Sequence, residues 1–489
     1  MIPYDEYELV VGLEVHAQLL TESKLFCGDS ASFGAAPNTH ISPVTLAHPG
    51  ALPLLNKKAV EFAIKMGLAC NCSITERNYF ARKNYFYPDL PKGYQISQHT
   101  TPICVGGHVR VHTEAGTRDI QLNRIHLEED AGKSLHDQDP DYTCVDLNRA
   151  GVPLIEIVTE PDIRSADEAY AYLTEIRKRL RYLEVCDGNM EEGSMRCDAN
   201  ISVRKKGDTK LGTKVEVKNL NSIRNVKRAI EFEAKRLIEL LERKEPILQQ
   251  TRSFDANNGT TFALRSKEEA NDYRYFADPD LTPFMVTNEM LQSIKATVPE
   301  LPEEKAQRYT NSFGLPAYDA QQLAEEKETA AYFENLVHVL TNGDAKQTSR
   351  IKQAANWILG PVRSELNESG ISITAFQVPA SSIAALILLI EEGKLNFSTA
   401  SGRVFKAVIE EPSTAPLAIA EKLNLIQNSD SGAVEEWVDA VLAKMPDKVQ
   451  EYKKGKKGLI GLFVGEVKKI SAGKADPKLT NDLLLKKLQ

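Results

Sequence analysis

In the stretch GLEVHAQL, residues 12 to 19, the apolar side chains Leu13, Val15, Ala17 and Leu19 alternate with Glu14, His16 and Gln18. A period of two belongs to a β-strand, so the segment reads as a strand with one apolar and one polar face. MRCDANISVR repeats the pattern, with Met195, Cys197, Ala199, Ile201 and Val203 set against Arg196, Asp198, Asn200, Ser202 and Arg204. In TKVEVK, Glu216 stands between Val215 and Val217, and in PLIEIV Glu156 interrupts an apolar run. Strands of this kind form a sheet that buries one face only. Helices are few before about residue 290, so the pairing is expected to be largely antiparallel.

Two helices interrupt the strands. Ser165 with Glu168 has the spacing of a capping box, and Leu173, Ile176, Leu180 and Leu183 follow at helical intervals. A second helix is expected from about Ser222 to Arg243, with Ile223, Val226, Ile230, Leu237 and Leu241 as its apolar stripe. Beyond Pro299 and Pro302 the pattern changes to amphipathic helices such as AEEKETAAYFENLVHVL and IKQAANWILG. The expected class is α+β: a largely antiparallel sheet domain over residues 1–295, a helical domain over 296–408, and a small, mainly helical tail over 409–489.

The length of 489 residues agrees with roughly three domains. No apolar run approaches a membrane span, because Ile383 to Ile390 is broken by Glu391 and Glu392. The start, MIPYDEYELV, lacks the basic-then-apolar pattern of a secretion signal, so a cytoplasmic protein is expected. Seven cysteines without a C-x-x-C pair suggest neither a disulfide framework nor a four-cysteine zinc site. Residues 444–489 carry 12 Lys against 5 Asp/Glu, or +7, which leaves −15 for residues 1–443 out of a net −8. Such a basic tail suits either a phosphate backbone or a solvated lysine face.

LEEDAGKS, residues 127–134, ends like a P-loop, but Leu127 stands where that motif needs its first glycine. Its carboxylates belong with those that interrupt the strands. Glu14, Glu128, Glu156, Asp198 and Glu216, with His16, would repel one another on a shared face and suit one or two divalent cations; a merely solvated face is the alternative. The loop RKNYFYPDLPKGYQISQ, residues 82–98, supplies Tyr85, Phe86, Tyr87 and Tyr94 for stacking and Arg82, Lys83 and Lys92 for phosphate contacts, or else packs as a tyrosine-rich surface loop.

GLEVHAQL, RKNYFYPDLPKGYQISQ, LEEDAGKS, DLNRAGVPLIEIVTEPD, EGSMRCDANISVR, GTKVEVKNLNSIRNVKRAIEFE and DYRYFADPDLTP together resemble the B subunit of the bacterial tRNA-dependent amidotransferases. The similarity covers essentially the whole chain, since KKGKKGLIGLFVGEVKKISAGKADPKLTNDLLLKKL is similar to the tail of that family. The resemblance implies a cradle domain, a helical domain and a tail domain, in a heterotrimer with an amidase (the A subunit) and a small third chain (the C subunit). It implies ATP- and Mg²⁺-dependent phosphorylation of the side-chain carboxyl of Glu on tRNA(Gln) or Asp on tRNA(Asn), followed by amidation with ammonia from the amidase. By matching motifs, Glu14, His16, Glu128, Glu129, Glu156, Asp198 and Glu216 would form the metal and phosphoryl-transfer centre. Lys83, Phe86 and Lys92 would contact ATP, and the tail would touch tRNA. Where many relatives read C-P-V-C, this chain has Ser42-Pro43-Val44-Thr45, so no structural zinc is expected. A non-catalytic tRNA-binding scaffold and a metal-dependent phosphohydrolase are the competing readings.

Overall fold

The structure, a computed structural model, describes residues 3–266, 273–426, 431–471 and 474–488. Asp272 of the DYRYF motif and Ala472-Gly473 of the tail motif lie outside the described residues. The chain divides into two compact units, Met1–Leu301 and Pro302–Gln489.

The first unit is built on strand β1, Tyr7–Gln18, in which Leu13, Val15 and Ala17 are fully buried. After β1 come helix α1 (Lys57–Ala69), strands β2 (Ala81–Asn84), β3 (Tyr94–Ser97), β4 (Gly116–Glu129) and β5 (Pro153–Thr159), and helix α2 (Ala166–Tyr182). Strands β6 (Met195–Lys205) and β7 (Val215–Leu220), helix α3 (Ile223–Glu242), and strands β8 (Gln250–Asp255) and β9 (Thr260–Ser266) complete the main elements. The strands lie in the order β9-β8-β7-β6-β1-β5-β4-β3-β2, within a sheet of 13 strands among the described residues. The pairs within this order are antiparallel except β7 with β8, which is parallel. The fold is therefore α+β.

Alternation decides which side of the sheet is covered. Val15, Cys197, Ala199, Ile201, Ile155, Ile157, Ile125 and Leu127 all belong to the buried core of the first unit, together with residues of α1, α2 and α3. Helix α1 packs against β4, α2 against α3, and α3 against β6. The N-caps follow the sequence. Ser165 accepts from the Glu168 N–H at 3.0 Å, and Ser222 from the Asn225 N–H at 3.1 Å. Glu168 completes its half of the cap one residue early, accepting from the Arg164 N–H at 2.8 Å, and it also holds the Arg118 guanidinium at 3.1 Å.

The apolar stripe of α3 contains a charge that periodicity did not suggest. Glu233 is fully buried, with Arg236 at 2.8 Å and Arg252 of β8 at 3.1 Å, and it accepts a short hydrogen bond from Thr261 of β9. It ties the helix to the last two strands through charge instead of methyl groups.

The second unit is helical and, among its described residues, has two hydrophobic cores, one drawn from Tyr309 to Ala420 and one from Val434 to Leu488. Helices Lys327–Thr341 and Thr348–Trp357 fall where the amphipathic pattern placed them. Pro361, which has no N–H to give, sits in a π-turn over Ile358–Val362 that breaks the regular hydrogen-bond spacing. Among the described residues no helix is long and apolar enough to cross a membrane.

Removing one partner from a buried ion pair strands the other charge, so Glu233→Ala is expected to destabilise the first unit by about 3–5 kcal/mol, with Glu233→Gln losing less. Thermal or denaturant unfolding of the two variants against the parent measures this; a melting point unchanged in Glu233→Ala would show that the arginines find solvent.

Candidate active site

The register across six strands assembles the polar face. In antiparallel strands directly opposed residues share a face. Glu14 of β1 lies opposite Asp198 of β6, and His16 opposite both Arg196 of β6 and Glu156 of β5. Glu156 lies opposite His126 of β4, Leu154 opposite Glu128, and Glu128 opposite Ser97 of β3. On the other flank Asn200 faces Glu216 of β7. All of these but Asn200 and Glu216 border a cavity of about 380 Å³ that also takes in Lys83, Tyr85, Arg124, Lys218 and Tyr275.

Two groups of potential metal ligands result among the described residues. His16, Glu128 and Glu156 form one, and Glu14, Asp198 and Glu216 the other; within each, one donor atom per residue lies within 4.8 Å of the others. Carboxylate oxygens with at most one imidazole nitrogen are a donor set suited to hard divalent cations such as Mg²⁺ or Mn²⁺, so the residues fit such an ion. In the first group His16 Nε2 lies 3.9 Å from Glu128 and 3.7 Å from Glu156. In the second, Asn200 donates to Glu14 at 2.8 Å, while the Lys218 ammonium sits 2.8 Å from Asp198 and 2.9 Å from Glu216.

The protein's own cations stand among these acids. His126 is buried with Nε2 at 3.3 Å from Glu128 and 3.2 Å from Glu156. Burial by itself would lower its pKa, but the charge of Glu156 and the hydrogen bonds to both carboxylates outweigh it and raise the value to about 9. Conversely, burial pushes the Glu156 carboxyl up, while the charge and hydrogen bond of His126 hold it well below the usual range. Glu14 goes the other way, raised by burial and then by the charges of Glu156 and Asp198. Lys83 loses solvent, which disfavours its charge, yet Glu128 and its neighbours hold it raised as an ammonium.

Of the residues expected from sequence, Glu14, His16, Glu128, Glu156, Asp198 and Glu216 share this face, and Lys83 lines the cavity. Glu129 does not join them. Consecutive strand residues point to opposite faces, so Glu128 and Glu129 cannot both face the cavity. The Glu129 carboxylate is 2% exposed, bound at 2.5 Å by the Lys92 ammonium and at 2.8 Å by the Ile96 N–H. The same pair turns Lys92 away, and Phe86 is 88% exposed with its ring edge over Gly93. Glu129, Lys92 and Phe86 thus lie outside the cavity, contrary to the sequence expectation. His126 and Lys218 join the face without having been expected there, and Arg196, expected on the polar face but given no role, joins it too; each stands two residues from a predicted acid and so shares its face. Asp130, the last acid of the LEED run, also borders the cavity; it accepts from Arg196 at 3.0 Å and from Gln18 at 2.8 Å.

The loop of Cys27, Asp29 and Thr45 is joined by hydrogen bonds. Asp29 accepts from Thr45 Oγ1 at 2.5 Å and from the Cys27 thiol at 3.3 Å.

A helix-backed sheet thus carries two groups of acidic side chains beside a charged cavity, and residues 9–292 match the GatB/GatE catalytic domain while 332–488 match the GatB domain. The chain is 52% identical over 489 residues to the B subunit of the aspartyl/glutamyl-tRNA(Asn/Gln) amidotransferase of Geotalea uraniireducens, covering 99% of each. It is 50% identical to the corresponding protein of Thermodesulfovibrio yellowstonii, over 99% of this chain and all of that one, and 50% identical to that of Chlorobaculum tepidum, over 98% of each. The chain belongs to the B-subunit family of these amidotransferases.

The division between the two faces has a direct test. Glu128→Gln is expected to weaken Mn²⁺ binding at least ten-fold with little change in melting temperature, since the lost charge faces the cavity, whereas Glu129→Gln is expected to lower the melting temperature and leave Mn²⁺ binding within about two-fold. Titration followed by electron paramagnetic resonance, beside thermal melts, separates the two; equal loss of Mn²⁺ in both variants would put Glu129 back at the centre.

Proposed function

We propose that this chain uses ATP to activate the side-chain carboxyl of Glu carried by tRNA(Gln), of Asp carried by tRNA(Asn), or of both, and then forms the amide with ammonia. The observation that carries the reading is the pair of acidic groups on one sheet face, whose Glu14, His16, Glu128, Glu156 and Asp198 border one cavity with Lys83 on its wall. His16, Glu128 and Glu156 would hold one Mg²⁺, and Glu14, Asp198 and Glu216 a second. Such ions supply neutralisation of the charge carried by the phosphoryl group.

The protein's residues do the positioning. Lys83 Nζ, held charged by nearby carboxylates, is placed to meet phosphate oxygens. Arg196, kept in place by Asp130, offers a fixed guanidinium on the opposite flank. The substrate carboxylate oxygen attacks the γ-phosphorus, ADP leaves, and an acyl phosphate remains. Ammonia then adds to the acyl carbon and inorganic phosphate departs, so each bond broken is matched by one formed. A carboxylate is a poor electrophile, and phosphorylation gives its oxygen the means to leave.

Ammonia is proposed to come from an amidase partner, the A subunit, with the small C subunit completing a heterotrimer, and the reaction to take place in the cytoplasm, where tRNA is charged. Five of the seven thiols are poor candidates for a glutamine-cleaving nucleophile: burial raises those of Cys70, Cys72, Cys104, Cys186 and Cys197, Cys186 to about 12, which disfavours the thiolate, while Cys27 and Cys144 are not buried. We therefore expect the chain, with its small partner if needed, to amidate misacylated tRNA when given ATP, Mg²⁺ and concentrated ammonium salt, but not when given glutamine. Analysis of the aminoacyl group released from tRNA reads this; glutamine-driven product without an amidase would reveal a nucleophile in this chain.

The domain assignment is also proposed: residues 1–295 as the catalytic cradle, 296–408 as a helical domain, and 409–489 as the tail that meets tRNA. Arg403, Lys468, Lys469 and Lys474 border a common cavity in the second unit, a cationic surface suited to phosphates. Deleting residues from 431 onward, which spares the core that ends at Ala420, is expected to weaken tRNA binding and flatten its salt dependence while ATP binding stays unchanged. Filter binding across a salt series checks it, and an unaltered slope would return the lysines to a solvated face.

A further inference from the structure

The DYRYF motif has no part in the chemistry above, yet the sheet brings it to the rim of the same cavity. Phe276 pairs with Arg82 of β2, and Arg82 with Ile96 of β3. That register sets Tyr275 beside His99, just past the end of β3. Their rings lie parallel, 3.9 Å apart between centroids and 6° between planes. The neighbouring aromatic contacts are edge-on: Tyr273 meets Tyr275 at 72° and Tyr85 at 73°. Lys83 Nζ lies 4.9 Å from the Tyr273 ring centre. His99, Tyr275 and Lys83 all border the cavity.

A parallel pair ending in an exposed imidazole presents a flat π-surface to solvent. Tyr273, itself edge-on to Tyr85, braces Tyr275 by its edge-on contact. A base placed on such a platform gains stacking energy, and a phosphate chain attached to that base can run toward Lys83 and the carboxylate groups. We propose that His99 and Tyr275 form the stacking platform for an adenine ring at the rim of the charged cavity. This rests on the reaction proposed above, and two sources of that ring are chemically equivalent: ATP, and the terminal adenosine of the tRNA acceptor end.

The test compares ligands with and without the base, on the full-length chain in Mg²⁺. Equilibrium binding is measured for ATP against inorganic tripolyphosphate, and for tRNA with and without its terminal adenosine. Stacking of one base corresponds to roughly 5- to 150-fold in affinity, so Tyr275→Ala is expected to weaken ATP about ten-fold or more while leaving tripolyphosphate within about two-fold, and Tyr275→Phe to keep the parent's preference. Loss of preference in the ATP arm assigns the platform to the nucleotide; loss in the tRNA arm alone assigns it to the terminal adenosine. His99→Ala, a change at an exposed side chain, carries the same readout should Tyr275→Ala fail to fold. A parent that prefers ATP, with neither variant altering discrimination in either arm, overturns the platform alone. A parent that binds ATP no better than tripolyphosphate, and misacylated tRNA without amidating it, overturns the proposed reaction instead.

Discussion

Placing Glu14, Glu128, Glu156, Asp198 and Glu216 on one sheet face concentrates negative charge that would separate the strands if left alone. The fold offsets this repulsion with cations fixed by the same register. His126 lies between Glu128 and Glu156, Lys218 between Asp198 and Glu216, and Arg196 beside Asp130. Each carboxylate therefore has a counter-charge within hydrogen-bonding reach or a donor such as Asn200. Buried pairs of this kind add little net stability, because desolvation offsets most of the attraction. What they provide is placement: oxygens aimed at a common volume and held there.

The opposite face makes that placement rigid. Val15, Cys197, Ile157 and Ile125 stand back to back with the polar residues and are fully buried in the helix-backed core. A close-packed interior allows little sliding between strands, and a slip of one residue would turn every acid into the core and every methyl group into the cavity. The alternation that generates the acidic face is thus also what defends it.

The same alternation explains how much was legible beforehand. β1, β6 and the acid of β5 could be read from period two, and the caps at Ser165 and Ser222 from their local spacing, because each signal lies within a few residues of sequence. Glu129 was placed with Glu128 because the family motif treats the run as a unit, whereas backbone geometry separates neighbours. Lys92 followed Glu129 out of the site through a contact between distant residues that no local pattern shows. Nothing local marks Glu233 as a buried charge; its partners, Arg252 and Thr261, lie in strands whose position against α3 is decided only by tertiary packing. The stack of His99 on Tyr275 depends likewise on pairing between β2 and a two-residue strand.

The strand order has a consequence for how the protein is made. β1 is the first strand synthesised, but it lies in the middle of the sheet, between β5 and β6. Neither edge of β1 finds its main partner until the ribosome has passed Thr159 and then Lys205. Contacts this distant in sequence close slowly, and an unpaired apolar strand is open to association with other chains in the meantime. The nascent chain must therefore carry GLEVHAQL unpaired until at least residue 159, and only after Lys205 has closed its second edge can β7, β8 and β9 extend the sheet outward from that centre.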